Sequence, residues 1–268
     1  MPLGLSLHPC IINWRIPWPG LAQLAAEIGY EGAVIPRDQP LPNVSREISG
    51  FPVRATAMAL PVEVRKDEAT FASTLPRLEG ACKFAAQAGC GVALLGMPPS
   101  SEQPRAAQAR IYRERLKKCS PILDEYSIRL ALECITPLHM RRAHPYEFIW
   151  RNAEMLEFGL SVSPNAGLIL DTWHWHHDGS DPESILSIPA DRILDVHFSD
   201  SPSARAEDIR DFERLLPGEG VIDFGLFFQL LEQRGYSRPV TVEVLGRGLA
   251  EMTPRAFQAS RTTLAGIA

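Results

Sequence analysis

Short apolar, β-branched runs alternate with longer amphipathic stretches along the whole chain. The runs read as strands at Gly4–Leu7, Ala33–Ile35, Val53–Leu60, Val92–Leu95, Ile128–Glu133, Gly167–Asp171, Ile193–Phe198 and Val240–Leu245. Between them the pattern predicts helices at Leu21–Ile28, Phe71–Ala88, Gln103–Tyr126, Pro145–Phe158, Pro182–Leu186 and Phe224–Arg234, with a last one over Pro254–Leu264. Gly89, Gly159 and Gly235 stand where helices commonly stop. The stretch Leu41–Ser49 reads as a loop with a short helix. Eight strands alternating with helices imply parallel crossovers. A doubly wound sheet needs fewer strands and usually a glycine-rich first turn, but the first strand leads into HPCIINWRIPWPG, without GxGxxG. The expected fold is α/β, a single (β/α)8 TIM barrel over residues 1–268.

Composition narrows the function classes. The chain has 27 Lys+Arg against 32 Asp+Glu, a net charge of −5, which disfavours a nucleic-acid partner. No apolar run approaches the roughly 20 residues of a membrane helix, and the N-terminal residues lack the pattern of a secretory signal. Cys10, Cys82, Cys90, Cys119 and Cys134 form no CxxC pair, as expected of reduced thiols in a cytoplasmic protein. A small-molecule substrate is the expected partner, and self-association into a homo-oligomer is compatible with the sequence.

The chemistry gathers at the ends of the last four strands, where a barrel opens its catalytic loops. Glu133, Asp171, His197 and Glu243 each close one of them. Strand alternation sends Leu130, Leu132, Val196, Phe198, Val242 and Val244 toward the helices, so the four ionisable residues point into the lumen. A lone carboxylate at a strand end is usually a surface or paired group. Three carboxylates and an imidazole converging in one barrel mouth repel and desolvate one another unless a cation joins them. Oxygen-rich donors with one nitrogen favour Mn²⁺ or Mg²⁺, with Co²⁺ or Zn²⁺ as alternatives. By the same parity Asp195 faces the lumen and is expected to hydrogen-bond Thr241.

These residues, with Asp171-Thr-Trp-His174, His197-Phe-Ser-Asp200 and Arg214-Leu-Leu-Pro-Gly218-Glu-Gly220, make the chain resemble the xylose-isomerase-like superfamily of sugar phosphate isomerases and epimerases. The resemblance implies one divalent metal on Glu133, Asp171, His197 and Glu243. It implies the two glutamates as acid and base, and His174 and Arg214 facing substrate oxygens. Proton loss from the hydroxyl-bearing carbon next to a carbonyl would give an enediolate, whose fate sets epimerisation, isomerisation or dehydration. The ketohexose 3-epimerase branch carries a second glutamate where this chain has His139. The segment SPNAGLILDTWHWHHDG instead resembles inosose dehydratase-like and dehydroshikimate dehydratase-like proteins.

Other residues admit two readings. His8, Trp14 and Trp18 follow the first strand and either line a sugar face or cover the barrel top. Glu63, Arg65 and Lys66 form a charged loop that is either solvated or touches an anionic substrate. Asp200 is expected to orient His197 or fix its loop, and Cys134 to be buried. A metal-dependent isomerase or epimerase is the leading expectation and a dehydratase its rival. The multi-zinc DNA-repair endonuclease branch needs histidines after strands two to four that the sequence lacks. A non-catalytic barrel would be expected to have lost a ligand.

Overall fold

The structure, a computed structural model, describes residues 3–12, 15–37, 53–205, 207–245 and 252–267. The expected Leu41–Ser49 loop and Trp14 lie outside them. Eight parallel strands close into one barrel: β1 (Leu5–Leu7), β2 (Gly32–Ile35), β3 (Arg54–Ala59), β4 (Val92–Met97), β5 (Arg129–Cys134), β6 (Gly167–Asp171), β7 (Ile193–Phe198) and β8 (Val240–Val242). Each pairs with its sequence neighbour, and β1 closes on β8 through Leu5↔Val240 and Leu7↔Val242.

Side-chain alternation divides the apolar interior in two. Val34, Ala57, Val92, Leu94, Ala131, Ile169 and Leu194 form one cluster, sharing parity with the inward ends of β5 and β6. The outer core packs the opposite strand faces, including Leu130, Leu132, Leu168, Leu170, Val196 and Phe198, against the helices. Between β6 and β7 the register shifts at Leu168/Ile169, pairing Ile169 with Asp195 rather than Leu194. This irregularity lets Leu194 join the apolar lumen while Asp195 and His197 keep the inward parity expected of them.

The helices are α1 (Trp18–Ile28), α2 (Glu68–Thr74), α3 (Arg77–Gln87), α4 (Arg105–Glu125), α5 (Leu138–Arg141), α6 (Asn152–Leu160), α7 (Thr172–His177), α8 (Phe224–Gln233) and α9 (Met252–Ile267). Several differ from the sequence expectation. The expected helix Phe71–Ala88 is two, because Pro76 cannot donate an N–H inside it; α2 starts under the Asp67 cap, which accepts from the Thr70 N–H at 3.0 Å. The expected helix from Pro145 begins only at Asn152, since Tyr146–Glu147 pairs antiparallel with Ser100–Ser101. Pro182–Ser187 is a 3-10 turn rather than an α-helix. β8 ends at Val242, three residues early, although the Glu243 N–H still donates to the Phe198 carbonyl at 3.1 Å. Among the described residues no helix is long and apolar enough to cross a membrane, and all five cysteines are buried and unpaired.

Candidate metal centre and substrate cavity

At the carboxyl ends of β5 to β8 the structure brings Glu133, Asp171, His197 and Glu243 together. One ligand atom from each lies within 4.8 Å of every other, and all four residues are buried. Pairing aligns the cluster: Asp171 sits opposite His197, and His197 opposite Thr241, two residues before Glu243. His197 turns Nδ1 toward the carboxylates, 3.1 Å from Glu133 Oε1 and 2.9 Å from Glu243 Oε2. Its Nε2 faces Asp195 at 3.8 Å, and Asp195 is itself held by the Thr241 hydroxyl at 3.0 Å, as parity predicted. Burial works against charge on His197, but Glu243 and Glu133 together raise its pKa well above the usual value. Burial raises Glu133, against His197, whereas for Glu243 the attraction of His197, His8 and Arg214 overcomes burial and lowers it well below. Burial lifts Asp195 to about 6.

Three carboxylate oxygens and one imidazole nitrogen on rigid strand ends suit a single hard or borderline divalent ion. The buried His197 Nε2 has no hydrogen-bond partner, so Nδ1 carries this ring's polar contacts to the cluster. The donor set therefore fits such an ion.

Asp171 has a second task. Its Oδ1 caps α7, accepting from the Trp173 and His174 N–H groups at 2.7 and 3.0 Å, while Oδ2 takes Arg214 Nη1 at 2.6 Å. The short helix is legible in hindsight from Asp171 as an N-cap, but its six residues carry no clear period.

Arg214 arrives on a loop whose fold depends on Asp200. Asp200 accepts from the Ser201, Gly218, Gly220 and Ile222 N–H groups at 2.8 to 3.1 Å, and its backbone pairs with Leu215. Gly218 has φ +88°, and a Cβ at Gly220 would collide with the Ser201 carbonyl and the Asp200 carboxylate. The Pro-Gly-Glu-Gly run is thus a wrapping for Asp200, which fixes this loop.

The guanidinium of Arg214 is 1% exposed and surrounded by partners. Nη1 donates to Asp171, Glu243 (3.2 Å) and Ser199 (3.3 Å); Nε and Nη2 both reach Asp211 Oδ1, and Nη2 lies 3.2 Å from His174 Nε2. Burial opposes its charge, yet Asp171, Asp211 and Glu243 raise its pKa well above the ordinary value. His174 is buried, linking Arg214 to the Thr136 hydroxyl at 3.2 Å, and is not part of the cavity wall. His8 does line the cavity, with Nδ1 3.5 Å from Glu243; burial lowers its pKa to about 4, so the ring is neutral near pH 7. Trp18 is packed into the outer core as the first residue of α1.

A cavity of about 460 Å³ opens over the cluster, bordered by Glu133, His197, Glu243, Arg214, Asp211 and His8, with Arg37 and Arg65 also in its wall. This volume is ordinary for a small-molecule site. Asp211 and Arg37 escaped the sequence reading because neither follows strand parity. The only available signal for Asp211 was its place three residues before Arg214.

Residues 22–264 match the family described as xylose isomerase-like TIM barrel. The inosose isomerase of Bacillus subtilis (strain 168) is 27% identical over 170 residues, 60% of this chain and 59% of that protein. The 3-dehydroshikimate dehydratase of Pseudomonas putida is 29% identical over 111 residues, 40% of this chain and 16% of its own. The chain thus spans less than two thirds of the length of these curated relatives. A xylose isomerase domain protein from Alicyclobacillus acidocaldarius superposes with a TM-score of 0.86 at 24% identity, covering 98% of this chain and 99% of that one. The IolI protein, solved with a zinc atom, gives 0.77 at 20% identity, covering 99% and 98%.

Proposed function

Because the chain belongs to the xylose isomerase-like TIM-barrel family, we propose that it is a divalent-metal-dependent isomerase or epimerase of a small sugar or related polyhydroxy carbonyl compound. The observation that carries the reading is the four-residue donor cluster within 4.8 Å, opening on a cavity of substrate size. Glu133, Asp171, His197 and Glu243 would hold the ion. The donors favour Mn²⁺ or Mg²⁺, and the zinc in the IolI relative keeps Zn²⁺ in play beside Co²⁺. Bound there, the ion would supply Lewis-acid stabilisation of charge developing on substrate oxygens.

The chain's own residues account for proton movement. Glu133 and Glu243 come from β5 and the end of β8 and flank His197, so one carboxylate can take the proton from the carbon between carbonyl and hydroxyl, and the other can return it. Return to the opposite face of that carbon inverts its configuration; delivery to the neighbouring carbon exchanges aldehyde for ketone. Arg214 acts as a positioning residue: its donors are occupied by Asp171, Glu243, Asp211 and their neighbours, so it aims the carboxylates. His174 supports Arg214, and neutral His8 borders Glu243.

Similarity to a dehydroshikimate dehydratase supports a second reading, in which loss of a β-hydroxyl from the same enediolate releases water. Incubating metal-loaded protein with inosose and a panel of ketoses separates the two, since a lyase forms a product lacking one hydroxyl. Glu133→Gln and Glu243→Gln are each expected to lower kcat by at least about 100-fold while the fold persists. Full activity in either variant, or after chelation of metal, would refute the proposal.

A further inference from the structure

The cavity is electrically lopsided. One side carries Glu133, Glu243 and Asp211 with Arg214 held among them; the other, built from residues after β2 and β3, carries Arg37 and Arg65. Arg37 is partly committed, with Nη2 3.0 Å from Glu63 and 3.1 Å from the Val62 carbonyl. Arg65 donates Nη1 to the Gly96 carbonyl at 3.1 Å, and no carboxylate of the described residues forms an ion pair with it. Arg65 is exposed at the cavity wall; the desolvation it does undergo, and then the adjacent Arg37, pull its pKa below the ordinary value, as for two cations sharing a wall.

Gly96 locates this guanidinium relative to the chemistry. It stands opposite Glu133 in the β4–β5 pairing, so close that a Cβ on Gly96 would lie 3.1 Å from Glu133 Oε2. Arg65 is therefore anchored on the residue beside a proposed acid/base carboxylate, one or two strand spacings away, roughly 5–10 Å. That span matches opposite ends of a six-carbon skeleton.

Resting on the metal-dependent reading above, we propose that Arg65, backed by Arg37, forms an anion subsite and that the substrate is a polyhydroxy carbonyl compound bearing a carboxylate. Two guanidinium groups against Glu63 leave one net positive charge, which suits a carboxylate better than a phosphate ester carrying nearly two negative charges.

The test compares kcat/KM for 3-dehydroshikimate, a cyclic ketone with a carboxylate, and inosose, a neutral cyclic ketone, using the Mn²⁺-loaded full chain. The wild type should prefer the carboxylate by about 10-fold or more. Arg65→Gln should shrink that preference roughly 10- to 100-fold, mainly through KM for the anion, and Arg65→Lys should restore part of it. Turnover of inosose without turnover of 3-dehydroshikimate overturns the subsite alone, as does an equal loss on both substrates in Arg65→Gln. A ketose phosphate outrunning both, with its advantage lost in Arg65→Gln, overturns the carboxylate assignment. Silence toward all three overturns the enzymatic reading beneath it.

Discussion

Arg214 shows how one side chain at the border of a cavity can organise the carboxylates around it. It balances Asp171, Asp211 and Glu243 in a region closed to water, so its removal leaves buried carboxylates uncompensated. Arg214→Met is expected to destabilise the metal-free protein by about 3–5 kcal/mol in urea unfolding. Mn²⁺ should stabilise that variant more than the wild type, because the ion supplies the missing positive charge. Equal stabilisation of both proteins would contradict the shared-charge account. Gly96 offers a gentler probe: its missing Cβ leaves room for Glu133. Gly96→Ala should weaken Mn²⁺ binding by roughly 10-fold in titration calorimetry, about 1.4 kcal/mol. Glu133, Asp171, His197 and Glu243 were legible from sequence because strand parity is a local rule. Asp211, Arg37 and the contacts that Arg214 makes were not, because loops obey no such period.

At the scale of elements, the loop after β7 depends on a single carboxylate. Asp200 accepts four backbone N–H groups, so Asp200→Ala strands buried donors and should cost about 3 kcal/mol, measured by denaturant unfolding. Asp200→Asn keeps one carbonyl acceptor and should cost less. If the two variants were equally stable, the hydrogen bonds would not be what holds the loop. Barrel strands were readable because apolar runs between turn residues survive any tertiary context. Helix boundaries were less so. Pro76 divides one apparent helix, and Tyr146–Glu147 joins a ribbon whose partner is distant in sequence. The cap that Asp171 provides for α7 also had no periodic signature, since six residues make under two turns.

Across the whole molecule, the proposed metal would compete with a proton for one centre. The folded pKa of His197 is raised above its unfolded value, so its protonated form adds stability fully present below about pH 6.5 and lost as pH rises through the folded value. A metal ion must displace that proton, so its own contribution grows with pH. The rise in Tm produced by Mn²⁺ should accordingly be larger near pH 8 than near pH 6; a shift independent of pH would exclude His197 as a ligand. Sequence by itself determined the barrel and the inward placement of the four candidate ligands, because hydrophobic alternation and strand order are written residue by residue. Only the tertiary structure decided how loops far apart in sequence close that mouth: Asp200 folding the Arg214 loop, Arg214 joining two ligands, and Arg37 and Arg65 giving the cavity a positive side. Those contacts depend on through-space geometry between segments whose local sequence sets no period, so only folding brings them together.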